Sequence, residues 1–190
     1  MLNTLLRFFF KLRGWKVVGE FSPTIKKAIF AVAPHTLWQD FLLGLSSRAT
    51  LYLNIRYLGK AELFQFPIGW IFRALGGTPL VRSSSNNQVQ NVVETFNQHD
   101  DLLIALAPEG TRKNVGKLRT GFYYMAVAAK VPIIMVGFDY PRKQVIFAQP
   151  FMPSGDFQKD MAQYFLPFFN TIEGVKKDWI KNYAEGKFDH

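Results

Sequence analysis

A histidine and an aspartate stand five positions apart in Pro34-His35-Thr36-Leu37-Trp38-Gln39-Asp40, directly after the apolar run Lys27 to Ala33. An imidazole with one ring nitrogen held by a carboxylate keeps the other free to take a proton, which is general-base chemistry. Thr36 and Gln39 have capping-box spacing, which predicts Thr36 as the N-cap of the following helix. In that register His35 precedes the cap and Asp40 is the fourth helical residue, the two positions that a hydrophobic staple brings together. The nearby helix N-terminus disfavours added positive charge and so favours a neutral histidine. The plainer alternative is a histidine capping its own helix beside a solvated first-turn acid.

A second candidate segment, Ala107-Pro108-Glu109-Gly110-Thr111-Arg112-Lys113, follows the apolar run Leu102 to Ala107. Both segments leave an Ala-Pro strand end, so in a parallel sheet they emerge on one carboxyl edge, where open α/β sheets bind ligands. Gly110 admits close backbone approach, Thr111 supplies a hydroxyl, and Arg112 can grip a phosphate with two parallel hydrogen bonds. Glu109 is expected either to lock that arginine or to meet a polar headgroup. The alternative is a polar turn with a surface ion pair of little value. Gly110 to Lys117 is one residue too long for a P-loop, and Leu118 stands where Ser or Thr would hold magnesium, which excludes nucleotide hydrolysis. Gly76 to Arg82 ends on a further arginine. Lys117-Leu118-Arg119-Thr120-Gly121 places two cations just before a helix, where phosphates are welcome. Arg82, Arg112, Lys117 and Arg119 act together only if the fold brings them to one place.

The elements that must position these residues follow from periodicity. Continuous apolar runs predict buried strands at Lys27 to Ala33, Leu102 to Ala107 and Ile133 to Val136, with shorter strands at Lys16 to Glu20, Leu51 to Tyr57 and Thr78 to Val81. Lys143 to Ala148 reads as an edge strand. Helices are expected over Trp38 to Ser46, Glu62 to Leu75 with a break at Pro67, Val89 to Phe96 after cap candidates Ser83 to Ser85, and Phe122 to Ala129. The tail from Phe157 to Tyr183 repeats aromatics at helical intervals, with Pro167 as a kink or start. This alternation predicts a single α/β domain, residues 15–190, with a mostly parallel sheet flanked by helices on both faces.

Residues 1–14 form a separate amphipathic helix by pattern. Leu2, Leu5, Leu6 and three consecutive phenylalanines face one way, and Arg7 and Lys11 the other. The cations interrupt any signal-peptide core. Such a helix either lies in a membrane interface or packs as a terminal helix on the domain.

Composition limits the chemistry further. With no cysteine among 190 residues there is no disulfide, thiolate metal site or cysteine nucleophile. Three histidines, one of them the final residue His190, leave too few ligands for a histidine-built zinc site, so no metal is expected. No stretch free of charged residues is long enough to cross a bilayer. A net charge of +9 points to an anionic partner: nucleic acid, a membrane surface or a phosphorylated substrate. His99, beside Asp100 and Asp101, reads as a solvated turn.

Taken in order, these pieces resemble the glycerolipid acyltransferase family, whose best-known members acylate lysophosphatidic acid. His35 and Asp40 match its His-four-residues-Asp block, Gly76 to Arg82 its Gly-rich turn ending in Arg, Pro108 to Arg112 its Pro-Glu-Gly-Thr-Arg block, and Val131 to Ile133 its Val-Pro-Ile block. Four blocks in order over about residues 28 to 140 make the resemblance specific. Pro34 and Ala107 stand where the family usually has Asn and an aromatic, and the N-terminal part is short, as in a peripheral variant. The resemblance implies transfer of a fatty acyl group from acyl-CoA or acyl carrier protein, without another cofactor, to the hydroxyl of a lysophospholipid such as 1-acylglycerol 3-phosphate. It implies His35 as general base, Asp40 as its orienting partner, and Arg112, Gly110, Thr111 and Arg82 as holders of the acceptor phosphate. Glu109 and Arg119 complete the expected substrate-binding set. The implied place is the cytoplasmic face of a membrane, with no nucleic-acid partner. The competing readings are a basic, aromatic nucleic-acid-binding module and a non-catalytic lipid-binding relative.

Overall fold

Seven strands form one sheet in the computed structural model, which describes residues 2–19, 21–22, 24–80, 85–174 and 177–187. In chain order they are β1 (Lys16–Val18), β2 (Lys27–Val32), β3 (Ile55–Lys60), β4 (Gly77–Leu80), β5 (Leu102–Leu106), β6 (Ile133–Asp139) and β7 (Gln144–Phe147). Their spatial order is β1-β7-β6-β2-β5-β3-β4. The run from β6 to β4 is parallel; β7 is antiparallel to β6, and β1 runs parallel to β7. The predicted α/β class and mostly parallel sheet are therefore present.

The apolar runs are continuous because both faces of the central strands are covered. Along β2, Ala28 and Phe30 pack into one core while Ile29 and Ala31 pack into the other. Along β6, Ile134 and Val136 alternate in the same way with Ile133 and Met135. The first face carries α1 (Leu2–Leu12), whose Phe10 is buried there, and α2 (Gln39–Thr50), against which α1 lies. The second carries α4 (Ser85–Asn97), α5 (Gly121–Ala129) and the aromatic tail. Between β3 and β4 lie a 3-10 turn (Ala61–Phe64) and α3 (Gly69–Ala74), separated around Pro67 as expected. The tail is α6 (Phe157–Asp160), a π-helical turn (Met161–Phe165), α7 (Leu166–Asn170) with Pro167 in its first turn, and α8 (Asp178–Ala184).

Three expectations need correction. Helix α2 continues four residues past Ser46, because Leu45 and Ala49 bury its inner face while the Ser47 and Thr50 hydroxyls bond back to carbonyls one turn earlier. This moves β3 to Ile55–Lys60 from the expected 51–57. The segment expected as an edge, β7, lies inside the sheet, with β1 covering its outer side. Part of the Thr78 to Val81 strand, and cap candidates Ser83 and Ser84, lie outside the described residues.

Candidate active site

Strands β2 and β5 are neighbours in parallel register, with Ala31 opposite Leu106, so the segments that follow them leave the same edge of the sheet side by side. The His35 loop and the Pro108 to Arg112 loop meet there. Helix α2 begins later than capping-box spacing predicts: its N-cap is Trp38, with no side-chain cap bond. Thr36 is not the cap. Asp40 instead folds back, and its Oδ2 accepts from the backbone N–H groups of Thr36 at 2.6 Å and Leu37 at 2.8 Å. That reversal turns the carboxylate toward the histidine. His35 Nδ1 lies 3.1 Å from Asp40 Oδ2, in a bent approach rather than an aligned hydrogen bond. Tyr140 donates to the other oxygen, Oδ1, at 2.5 Å. Burial alone would raise the Asp40 carboxyl, but contact with His35 and the bonds from Tyr140, Leu37 and Thr36 outweigh it and hold the carboxyl below its ordinary value.

The far nitrogen of the imidazole faces Arg112, whose Nε is 3.4 Å from His35 Nε2. A guanidinium can only donate, so this contact presents a proton to the Nε2 lone pair and leaves the ring proton on Nδ1, toward Asp40. The tautomer is thus the one a base acting through Nε2 requires. Glu109 corrects an expectation. It is buried, and its carboxylate bonds to groups other than the Arg112 guanidinium. Its Oε2 accepts from the His35 backbone N–H at 2.7 Å and its Oε1 from the Trp179 indole at 2.8 Å. Burial pushes its carboxyl up, and bonds from Trp179 and the His35 backbone, with the Lys177 charge 3.9 Å away, offset this only in part.

Lys177 and Trp179 carry no signal in the sequence that marks them for the site. Lys177 is buried, and its ammonium donates to the carbonyls of His35 (3.3 Å), Arg112 (3.1 Å) and Lys113 (2.9 Å). One side chain therefore ties the two loops together. Gly110 has φ +65°, and an added Cβ would lie 2.7 Å from Arg119 Nε, so glycine is required for the arginine to pack across the turn.

His35, Gly110, Thr111, Arg112 and Arg119 all line one open groove of about 810 Å³. Its other wall is apolar, with Trp38, Phe41, Leu63, Phe72 and Met125. On the far side of His35 and Asp40 lies a smaller apolar cavity of about 170 Å³, between α2 and the sheet, lined by Phe30, Gly44, Leu45, Phe138 and Phe147 among others. Lys117 stands outside the groove, in a neighbouring polar cleft. Arg82 lies outside the described residues. The His99 ring binds the Thr95 carbonyl one turn back, at 2.9 Å.

Residues 15–139 match the acyltransferase family. The chain belongs to that family. None of the curated proteins matches it. Among solved structures, this acyltransferase is similar to the crystal structure of the 1-acyl-sn-glycerophosphate (LPA) acyltransferase PlsC from Thermotoga maritima. The TM-score is 0.55 at 21% identity, over 97% of this chain and 79% of that one. The likeness is one of fold, and it extends past the family match into the tail that carries Lys177 and Trp179. No helix among the described residues of the acyltransferase is long and apolar enough to cross a membrane.

Proposed function

We propose that this acyltransferase moves a fatty acyl group from a thioester, acyl-CoA or acyl carrier protein, to the hydroxyl of a lysophospholipid such as 1-acylglycerol 3-phosphate. The observation that carries the reading is the place of His35, in the shared wall between an amphiphilic groove and an apolar cavity. The groove offers Arg112 and Arg119 to a phosphate and an aromatic wall to an acyl tail. The cavity, apolar over most of its wall, offers a sleeve to a second acyl chain. His35 Nε2 takes the proton of the acceptor hydroxyl as its oxygen attacks the thioester carbonyl carbon. The C–S bond then breaks, the imidazolium returns the proton to the departing thiolate, and an ester and a free thiol result. Asp40 holds the ring and balances its transient charge. Base catalysis of this kind is worth about 10² to 10⁴ in rate.

A membrane surface as the source of acceptor is supported by exposed apolar side chains on two elements. On α1 they are Leu2, Leu5, Phe8, Phe9 and Leu12; around α3 they include Phe66, Ile68 and Trp70. Arg7, Lys11 and Arg13 lie within or beside the first, as anionic headgroups would require. A peripheral position on the cytoplasmic face fits this arrangement.

The test is thiol release by the purified chain, with long-chain acyl-CoA or acyl carrier protein as donor and lysophosphatidic acid, glycerol 3-phosphate or a neutral lyso-lipid as acceptor. Product is identified by mass spectrometry. Activity is expected with the phosphate-bearing lyso-lipid and lost in His35→Ala with an unchanged melting curve; a fully active His35→Ala overturns the mechanism.

A further inference from the structure

Tyr140 follows the last residue of β6 and lies one position beyond the stretch matched to the family. Its hydroxyl donates to Asp40 Oδ1, whereas His35, Thr36 and Leu37 all gather on Oδ2. The carboxylate is therefore gripped from both ends, and rotation about its final bond would break the Tyr140 contact. The phenol is itself held. Trp15 meets it edge-on with ring centroids 5.3 Å apart, and Phe10 of α1 packs on Trp15 at 6.3 Å. Tyr140 lines neither the groove nor the apolar cavity. Burial, with the Asp40 carboxylate as acceptor and charge, pushes its hydroxyl well above the ordinary value, so it stays a donor throughout the working range.

We propose that Tyr140 is a positioning residue for acyl transfer, fixing the Asp40 carboxylate so that Oδ2 faces His35 Nδ1. The proposal rests on the function proposed above. Two effects follow from the hydroxyl. It sets the angle of the carboxylate, and it draws off part of the negative charge that would otherwise hold a proton on His35. The charged groups around that histidine are Asp40 at Nδ1, Arg112 at Nε2, Glu109 at its backbone N–H and Lys177 at its carbonyl. Tyr140 touches Asp40 alone among these.

Tyr140→Phe removes one oxygen and keeps the ring that Trp15 packs against. Wild type and variant are compared for kcat and KM with the acceptor, for the pH profile of kcat/KM, for thermal melting, and for the NMR titration of the His35 ring, assigned with His35→Gln. The expected result is a fall in kcat of roughly tenfold, the scale of a hydrogen bond to a charged group, at unchanged KM, with the melting temperature lowered by the same lost bond and the variant still folded at the assay temperature. The acid limb of the pH profile and the ring titration should both move to higher pH, because the undiluted carboxylate holds the imidazolium proton longer. Unchanged kcat and pH limb overturn the proposal, as does a loss carried entirely by KM or by unfolding. A wild type inactive with every acceptor overturns the proposed function instead. The ring titration then still decides for Tyr140: a midpoint that moves up supports its control of the dyad, and an unmoved midpoint refutes it.

Discussion

Gly44 sits in the middle of α2, where glycine costs about 0.5 to 1 kcal/mol relative to alanine. Crowding gives no reason for it: a Cβ built there meets nothing within 4 Å. What it lines is the apolar cavity beneath His35 and Asp40. If that cavity receives the acyl chain, glycine keeps the sleeve open at the expense of the helix. Gly44→Ala should then raise stability by up to about 1 kcal/mol, or about 2 to 4 °C in melting temperature for a chain of this length. Gly44→Leu projects a full side chain into a space of about 170 Å³ and should shorten the acyl groups accepted. Each methylene excluded forfeits about 0.8 kcal/mol of burial, so kcat/KM for a long donor should drop about fourfold per methylene against a short one. A mixed ladder of saturated donors in one reaction, with products resolved by mass spectrometry, reads the shift directly. A folded Gly44→Leu enzyme with the wild-type chain-length profile would show that the acyl chain lies elsewhere. A destabilised Gly44→Ala would show that the space beside Gly44 is filled.

Lys177→Met should lower stability by about 3 to 5 kcal/mol, because it strands the buried Glu109 carboxylate and three carbonyls. Adding Glu109→Gln should restore part of the loss, and an unchanged melting curve for the single variant refutes the brace. The two buried carboxyls predict opposite pH dependence. Asp40 is held below 3.8, so its contribution to stability is complete above that value and is lost as pH falls through the lowered one. Glu109 is held above 4.5, so the fold favours its neutral form; that contribution is complete below 4.5 and is lost as pH rises through the raised value. Denaturant titrations across pH should show Asp40→Asn removing the acid-side loss and Glu109→Gln removing the loss at higher pH; curves parallel to wild type contradict the assignment. Deleting residues 2–12, or replacing Phe66 and Trp70 by serine, should each reduce sedimentation with anionic vesicles, and undiminished binding in both argues against a lipid-facing surface.

The strands that position the site were legible because burial on both faces leaves long apolar runs, and the runs at β2, β5 and β6 mark the centre of the sheet. The loops were legible for a related reason: a parallel sheet sends every strand end to one edge, so two Ala-Pro exits had to meet. What local rules misjudged was the helix start. Capping-box spacing put the cap at Thr36, whereas Asp40 caps the turn from inside with its own carboxylate, and the His35 contact survives because that turn brings the same two residues together. Glu109, Lys177, Trp179 and Tyr140 were illegible in their roles. Each acts through a partner 65 or more residues away, and no spacing rule links a buried carboxylate to an indole and an ammonium in the tail.

The two spaces beside His35 belong to opposite faces of the sheet. The apolar cavity is walled by Phe30, Phe138 and Phe147 of the core shared with α1 and α2, while the groove reaches Phe122 and Met125 of the core shared with α5. They touch only at the carboxyl edge, where His35, Phe41, Tyr57, Leu58, Leu106 and Ala107 line both. On the proposed function, a thioester carbonyl with its chain in the cavity and an acceptor hydroxyl with its phosphate on the arginines would meet in one place, under His35 Nε2. Ala107, with a single methyl group, is the smallest side chain at that junction, where a larger one would narrow the passage between the two spaces. On the proposed function, each substrate is selected on a different face of the sheet and the edge brings the reacting atoms together, which is where orientation contributes most to rate.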